Sequence, residues 1–219
     1  MGARRGVLLD VDGTLLDSND AHARAWEDVL SEEGFAVGYD RIRPLIGMGG
    51  DKVVPLLTGI PDGDPRAERL NQRRGRLFRT KYLPRLHAFP AAHALLQELG
   101  RRRMLRVVAT SASAEDLGAL LEQGGFADLI DATVSSDDVD RSKPDPDIVA
   151  AALEKARLRQ DEAVLVGDTP YDVAAGRRAG VDVIAVRSGG WSDQELRGAT
   201  AVIDDVGALR ARLDEMLAR

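Results

Sequence analysis

Along the chain, apolar and polar positions alternate between short apolar runs and longer amphipathic stretches. Five runs have the length and β-branched content of buried strands: GVLLD from Gly6, RVVATS from Arg106, AVLVGD from Ala163, DVIAVRS from Asp182 and TAVID from Thr200. A weaker sixth, IDATVSS from Ile130, falls between the second and third. Helical stretches separate most of them. SAEDLGALLEQGG opens on Ser113 at an N-cap position and closes on glycines, and DPDIVAAALEKARL and PYDVAAGRRAG carry similar punctuation. Strands alternating with helices predict an α/β fold built on a mostly parallel, doubly wound sheet.

The stretch between the first and second strands breaks this rhythm. AHARAWEDVLSEEGF and RAERLNQRRGRLFRTKYL have helical periodicity, nothing between them reads as a buried strand, and GIPDGDPRAE is the most loop-like segment. One crossover does not need this many residues. The expected organisation is an α/β core of residues 1–16 and 88–219, with a helical cap of residues 17–87 over the sheet's carboxyl edge.

Composition narrows the function. A chain of 219 residues suits one large domain or a core with a smaller inserted one. The absence of cysteine excludes disulfides, thiolate chemistry and cysteine-based metal centres. His22, His87 and His93 are too scattered for a histidine-rich metal site. A net charge of −6 argues against bulk nucleic-acid binding, and no run approaches a membrane span. The apolar stretch before Asp10 is too short for a signal peptide, so a cytoplasmic protein is expected, with a monomer as the expected state.

Three predicted strands end in polar groups: Asp10, then Thr110 with Ser111, then Asp168. In an open parallel sheet the ligand lies beyond the carboxyl ends of the strands, so these groups should meet in one cleft. Asp172, four residues past Asp168, is one helical turn on. Burying Asp10 beside Asp12 is costly without a cation or donors. Carboxylates without a histidine cluster suit Mg²⁺ better than Zn²⁺, phosphate is the natural substrate group, and Lys143 in RSKPDPD can hold its oxygens. Gly13 permits a sharp turn behind the pair, and Thr14 offers a hydroxyl to order it.

Taken in order and spacing, DVDGTLLD, ATSAS, SKPDPD and GDTPYDVAAGRRAG resemble the four motifs of the haloacid dehalogenase superfamily of phosphatases, in its phosphoglycolate phosphatase and β-phosphoglucomutase branch. The resemblance covers nearly the whole chain and includes a helical cap after the first motif. It implies that Asp10 attacks phosphorus to form an aspartyl-phosphate, and that Asp12 is the general acid and base, with its backbone carbonyl on the metal. It further implies phosphate binding by Thr110, by a backbone N–H of Ser111 and by Lys143, with Asp168 and Asp172 as metal-site acids. On these roles Asp12 needs a raised pKa, which crowding by other carboxylates would supply.

Some positions depart from the pattern or carry a second reading. ATSAS offers two hydroxyls, of which Thr110 is favoured for phosphate; Ser142 replaces a common glycine, and Pro90-Ala91 replaces a common Pro-Gly. Gly50 stands near the place of the mutase branch's cap arginine, with Lys52 as a partial substitute, and His22 lies where that branch also has histidine. Asp168 is alternatively a helix cap, Asp172 a compensator of the helix dipole and Lys143 a solvated loop lysine. Between Arg66 and Arg85, eight arginines and lysines against Glu68 either steer an anionic substrate or form a solvated face. The expected function is a Mg²⁺-dependent phosphatase of a small phosphorylated metabolite, phosphoglycolate or a sugar phosphate. A phosphosugar mutase and a catalytically silent binding protein are the alternatives.

Overall fold

The structure, a computed structural model, describes residues 4–218. Six parallel strands form one sheet: β1 (Gly6–Leu9), β2 (Leu105–Ala109), β3 (Ala132–Val134), β4 (Ala163–Gly167), β5 (Asp182–Val186) and β6 (Ala201–Ile203). Their spatial order is β3-β2-β1-β4-β5-β6, so the chain reverses direction across the sheet between β1 and β4. All six expected runs are strands, and the fold is the doubly wound α/β architecture read from their spacing. The helices are α1 (Asn19–Glu32), α2 (Tyr39–Ile42), α3 (Gly50–Thr58), α4 (Pro65–Leu77), α5 (Ala92–Arg101), α6 (Ala114–Gly124), α7 (Asp147–Ala156), α8 (Pro170–Arg178), α9 (Val206–Ala211) and α10 (Leu213–Leu217). Among the described residues no helix is long and apolar enough to cross a membrane.

Because successive strand residues point to opposite faces, each central strand feeds two apolar layers. Val7, Leu9, Val108, Val164 and Ile184 pack with α5, α6, α9 and α10, whereas Leu8, Val107, Leu165 and Val183 pack with α7 and α8. Both faces are covered, which is why the strands read as continuous apolar runs.

Part of the chain between β1 and β2, ahead of α5, forms a helical insertion with an apolar cluster of its own. Trp26, Leu30, Ile42, Val54, Leu57 and Leu70 are buried against one another there. Helix α1 serves both parts, with Ala21 and Ala25 in the sheet-side core and Ala23, Trp26 and Val29 in the insertion's cluster. The chain leaves and re-enters the sheet side by side: Asp17 N–H donates to His87 O at 3.1 Å and Phe89 N–H to Leu15 O at 2.9 Å. At the re-entry Ala91 takes the left-handed conformation (φ 69°) that glycine adopts more easily.

Candidate active site

The site lies at the carboxyl edge of the sheet, at the point where strand order reverses. Asp10 directly follows β1, and its N–H extends the ladder to Val166 O at 2.9 Å. Thr110 follows β2, its N–H donating to Val134 O at 3.1 Å, and Asp168 follows β4. Lys143 arrives from the loop between β3 and α7. Its ammonium, 1% exposed, lies 2.7 Å from Asp10 Oδ1 and 2.6 Å from Asp172 Oδ1. That contact excludes the solvated-loop alternative for Lys143.

Asp172 combines its two readings. Its Oδ2 accepts from the N–H (3.1 Å) and hydroxyl (2.6 Å) of Thr169, closing a capping box on α8, while Oδ1 faces Lys143. The helix cap is therefore Thr169, which releases Asp168 for the site. Asp168 accepts from Thr14 Oγ1 at 3.2 Å and Asn19 Nδ2 at 2.8 Å. Thr14 thus spends its hydroxyl on Asp168 and not on its own turn. Gly13 makes that turn (φ 77°), and a Cβ there would collide with both Asn19 and Asp168.

Burial and the charges of Asp172, Asp168 and Asp12 push Asp10 well above the usual carboxylate range, against the opposing pull of Lys143. Burial, with the charge of Asp172, raises Asp168 to about 8. Burial also works against the charge on Lys143, but Asp10 and Asp172 overcome it and raise its pKa. Asp12 differs from the expectation of a raised value. Burial would raise it, but His22 Nε2 at 2.8 Å, the Ser18 hydroxyl and the nearby Arg74 outweigh burial and hold it low. Crowding acts on Asp10 and Asp168 because they face other carboxylates, whereas Asp12 is turned toward the insertion's donors.

Oxygens of the buried Asp10, Asp168 and Asp172 all lie within 4.8 Å of one another. Among the described residues Lys143 is the ammonium set between them, and burial, with the charges of the neighbouring aspartates, raises the pKa values of Asp10 and Asp168. An all-oxygen donor set with excess negative charge fits a hard divalent cation.

The insertion closes the site. Asp10, Asp12, Thr110 and Ser111 line a cavity of about 40 Å³ with His22, Trp26, Arg74 and the loop from Ile46 to Gly50. That space admits about three waters. Gly50, Arg74 and Ser111 are shared with an adjoining cavity of about 420 Å³. Thr110 Oγ1 accepts from Ala112 N–H at 3.1 Å, which leaves its own proton to donate, whereas Ser111 Oγ is buried without a partner among the described residues. His22 stacks on Phe78 at 3.9 Å. Gly50 borders the cavity, and a side chain there would collide with Asn71. Lys52 is not brought to the cavity: its ammonium is 2.8 Å from Asp145.

The basic run from Arg66 to Arg85 is drawn largely into ion pairs. Arg66 pairs with Asp64, Arg73 with Glu32 and Glu33, Arg74 and Arg79 with Asp116, and Lys81 with Asp28. Arg74 alone of these lines the small cavity, and it links His22 (3.3 Å) to the buried Asp116 (2.8 Å). Arg74, Ser18 and Asn19 escaped the sequence reading, because each resembles an ordinary helix or cap residue until the fold aims it at an aspartate.

The chain is 33% identical over 215 residues to a phosphoglycolate phosphatase of Rhodospirillum rubrum, covering 94% of this chain and 89% of that one. It is 29% identical over 187 residues to the fructose-1-phosphate phosphatase YqaB of Escherichia coli, covering 83% and 96%. The crystal structure of a hydrolase from Pseudomonas syringae superposes with a TM-score of 0.90 at 31% identity, over 97% of this chain and 99% of that one. The sequence pattern of one family matches residues 7–186, a span that includes every group placed around the cavity, and the chain belongs to that family, the haloacid dehalogenase-like hydrolases.

Proposed function

We propose that this protein is a Mg²⁺-dependent phosphatase that hydrolyses a small phosphomonoester through an aspartyl-phosphate on Asp10. The observation that carries the reading is the Lys143 ammonium bridging Asp10 and Asp172 inside a buried three-aspartate cluster. Mg²⁺, held by Asp10, Asp168, Asp172 and the Asp12 backbone carbonyl, would neutralise phosphoryl charge. Lys143, the Thr110 hydroxyl proton and the Ser111 N–H hold the phosphoryl oxygens. An Asp10 oxygen attacks phosphorus, the ester bond breaks, and the leaving oxygen takes a proton from Asp12. A dianionic phosphoryl group beside Asp12 raises its pKa, opposing His22 and Arg74, so that it carries that proton. Asp12 then takes a proton from water, which attacks phosphorus and frees Asp10 and inorganic phosphate.

The helical insertion acts as the cap that excludes bulk water during transfer. Phosphoglycolate and sugar phosphates are the substrate candidates, since relatives are named for each. The mutase reading is disfavoured by Asn71 filling the space beside Gly50 and by Lys52 engaging Asp145. The test is phosphate release from a panel of phosphorylated metabolites and an aryl phosphate, with Mg²⁺ or chelator. Release that requires Mg²⁺ and is abolished in Asp10→Asn is expected. Release that survives in Asp10→Asn would overturn the reading.

A further inference from the structure

Lys143 is set by residues that flank it in sequence, and the insertion grips those flanks. Ser142, 2% exposed, donates its backbone N–H to Asp51 Oδ2 at 3.1 Å and its hydroxyl to Asp51 Oδ1. The same hydroxyl accepts from Gly49 N–H at 3.0 Å. Two residues beyond Lys143, Asp145 takes the Lys52 ammonium at 2.8 Å. Both partners belong to the insertion, on the first turn of α3, and both flanks belong to the loop before α7. A Cβ at Gly49 would lie 2.7 Å from the Ser142 Cβ and 2.8 Å from its hydroxyl, so the close approach requires glycine there.

These bonds join the insertion to the loop that carries Lys143, so any movement of the insertion away from the sheet edge breaks them. They flank the small cavity of about 40 Å³ and the adjoining one of about 420 Å³, which Gly50, Arg74 and Ser111 share. Other contacts hold the insertion down elsewhere: Tyr171 Oη donates to Pro44 O at 2.6 Å, and Arg43 Nη2 to Gly189 O at 2.7 Å. Losing Asp51 leaves those contacts intact and removes the acceptor of the Ser142 N–H, which loosens the backbone before Lys143.

We propose that Asp51 is a positioning residue, which fixes Lys143 through Ser142 so that the phosphate-binding ammonium is aligned only when the insertion is docked. The proposal rests on the reading of Lys143 as a phosphate ligand. Asp51 touches no reacting atom. Its contribution is to kcat, since it orders a group used in the transition state, with little effect on KM.

The experiment compares wild type, Asp51→Ala, Ser142→Ala, the double variant and Tyr171→Phe, which removes a docking contact to Pro44 that does not involve the Ser142 loop. Kinetics use an aryl phosphate with Mg²⁺, and exchange of the Ser142 amide proton is followed by NMR in each protein. For Asp51→Ala, kcat is expected to fall by about ten- to a hundredfold with KM nearly unchanged, and the Ser142 amide to exchange faster. The double variant is expected to lose less than the product of the two single losses, and Tyr171→Phe to keep wild-type kcat. An Asp51→Ala enzyme with wild-type kcat, an unaltered Ser142 amide, or an equal loss in Tyr171→Phe overturns the proposal. Wild type that releases no phosphate overturns instead the phosphatase reading on which it rests.

Discussion

The sheet edge and the insertion enclose one cavity by opposite means. From the edge come charged side chains at strand ends: Asp10, Asp168, Asp172 and Lys143 are buried and bonded to one another or to capping groups. From the insertion come a glycine-rich loop, Trp26, His22 and Arg74, while most of its charges are tied up in ion pairs on its own surface or against Asp116. On the proposed function, chemistry is carried where charge is buried and opposed by charge. Access and fit are carried where backbone approaches backbone, and there small residues matter more than reactive ones.

Lys143→Ala should produce the largest effect. Phosphate release should fall by about 10²–10³-fold through loss of one charged donor. The metal-free protein should lose about 3–5 kcal/mol in a denaturant titration, because Asp10 and Asp172 lose their buried partner. If the variant unfolds at the wild-type denaturant concentration, the Lys143 ammonium does not compensate the buried charge of Asp10 and Asp172.

Gly50→Ala probes the other region. Its Cβ collides with Asn71, and relieving that overlap costs about 1–3 kcal/mol in the docked insertion. A raised KM with kcat largely retained is expected from steady-state kinetics. A loss confined to kcat would place the loop in the chemistry and erase the distinction between the two regions.

A smaller effect concerns pH and metal together. Asp168 titrates at about 8 in the fold against 3.8 ordinarily, so the folded state binds the extra proton between those values. The contribution of Asp168 to the stability of the chelated protein is therefore full below 3.8 and falls as pH rises toward about 8. Mg²⁺ binds the ionised form, so the gap in Tm between Mg²⁺ and chelator should widen as pH rises through that window. A gap independent of pH would separate the metal from this cluster.

Legibility followed the same division. Asp10 and Asp168 stood out because an apolar run that ends in an acid is costly to bury without a purpose, and the six runs themselves gave the sheet. Thr169 and Asp172 carried a readable capping pattern, although its split between cap and site needed coordinates. Arg74 lay hidden in a basic run, and only the fold shows that it faces His22 and Asp116 while the adjacent Arg73 pairs with the exposed Glu32 and Glu33. Asp51 carries no sequence signal of its role, since it is a first-turn helix acid whose partner Ser142 is distant in sequence. The Asp12 environment was misjudged for the same reason: His22 and Ser18 precede no recognisable pattern of donors to an aspartate, and they reach it only through the turn at Gly13.

The central claim is that Asp10 forms a covalent bond to phosphorus. The most direct measurement is acid quenching during turnover with Mg²⁺, followed by mass analysis of the proteolysed protein. A phosphoryl adduct on the peptide carrying Asp10, absent in Asp10→Asn and lost in mild base, is the predicted result. Steady phosphate release with no adduct on that peptide, even when Asp12→Asn is used to block the hydrolytic step, would contradict it.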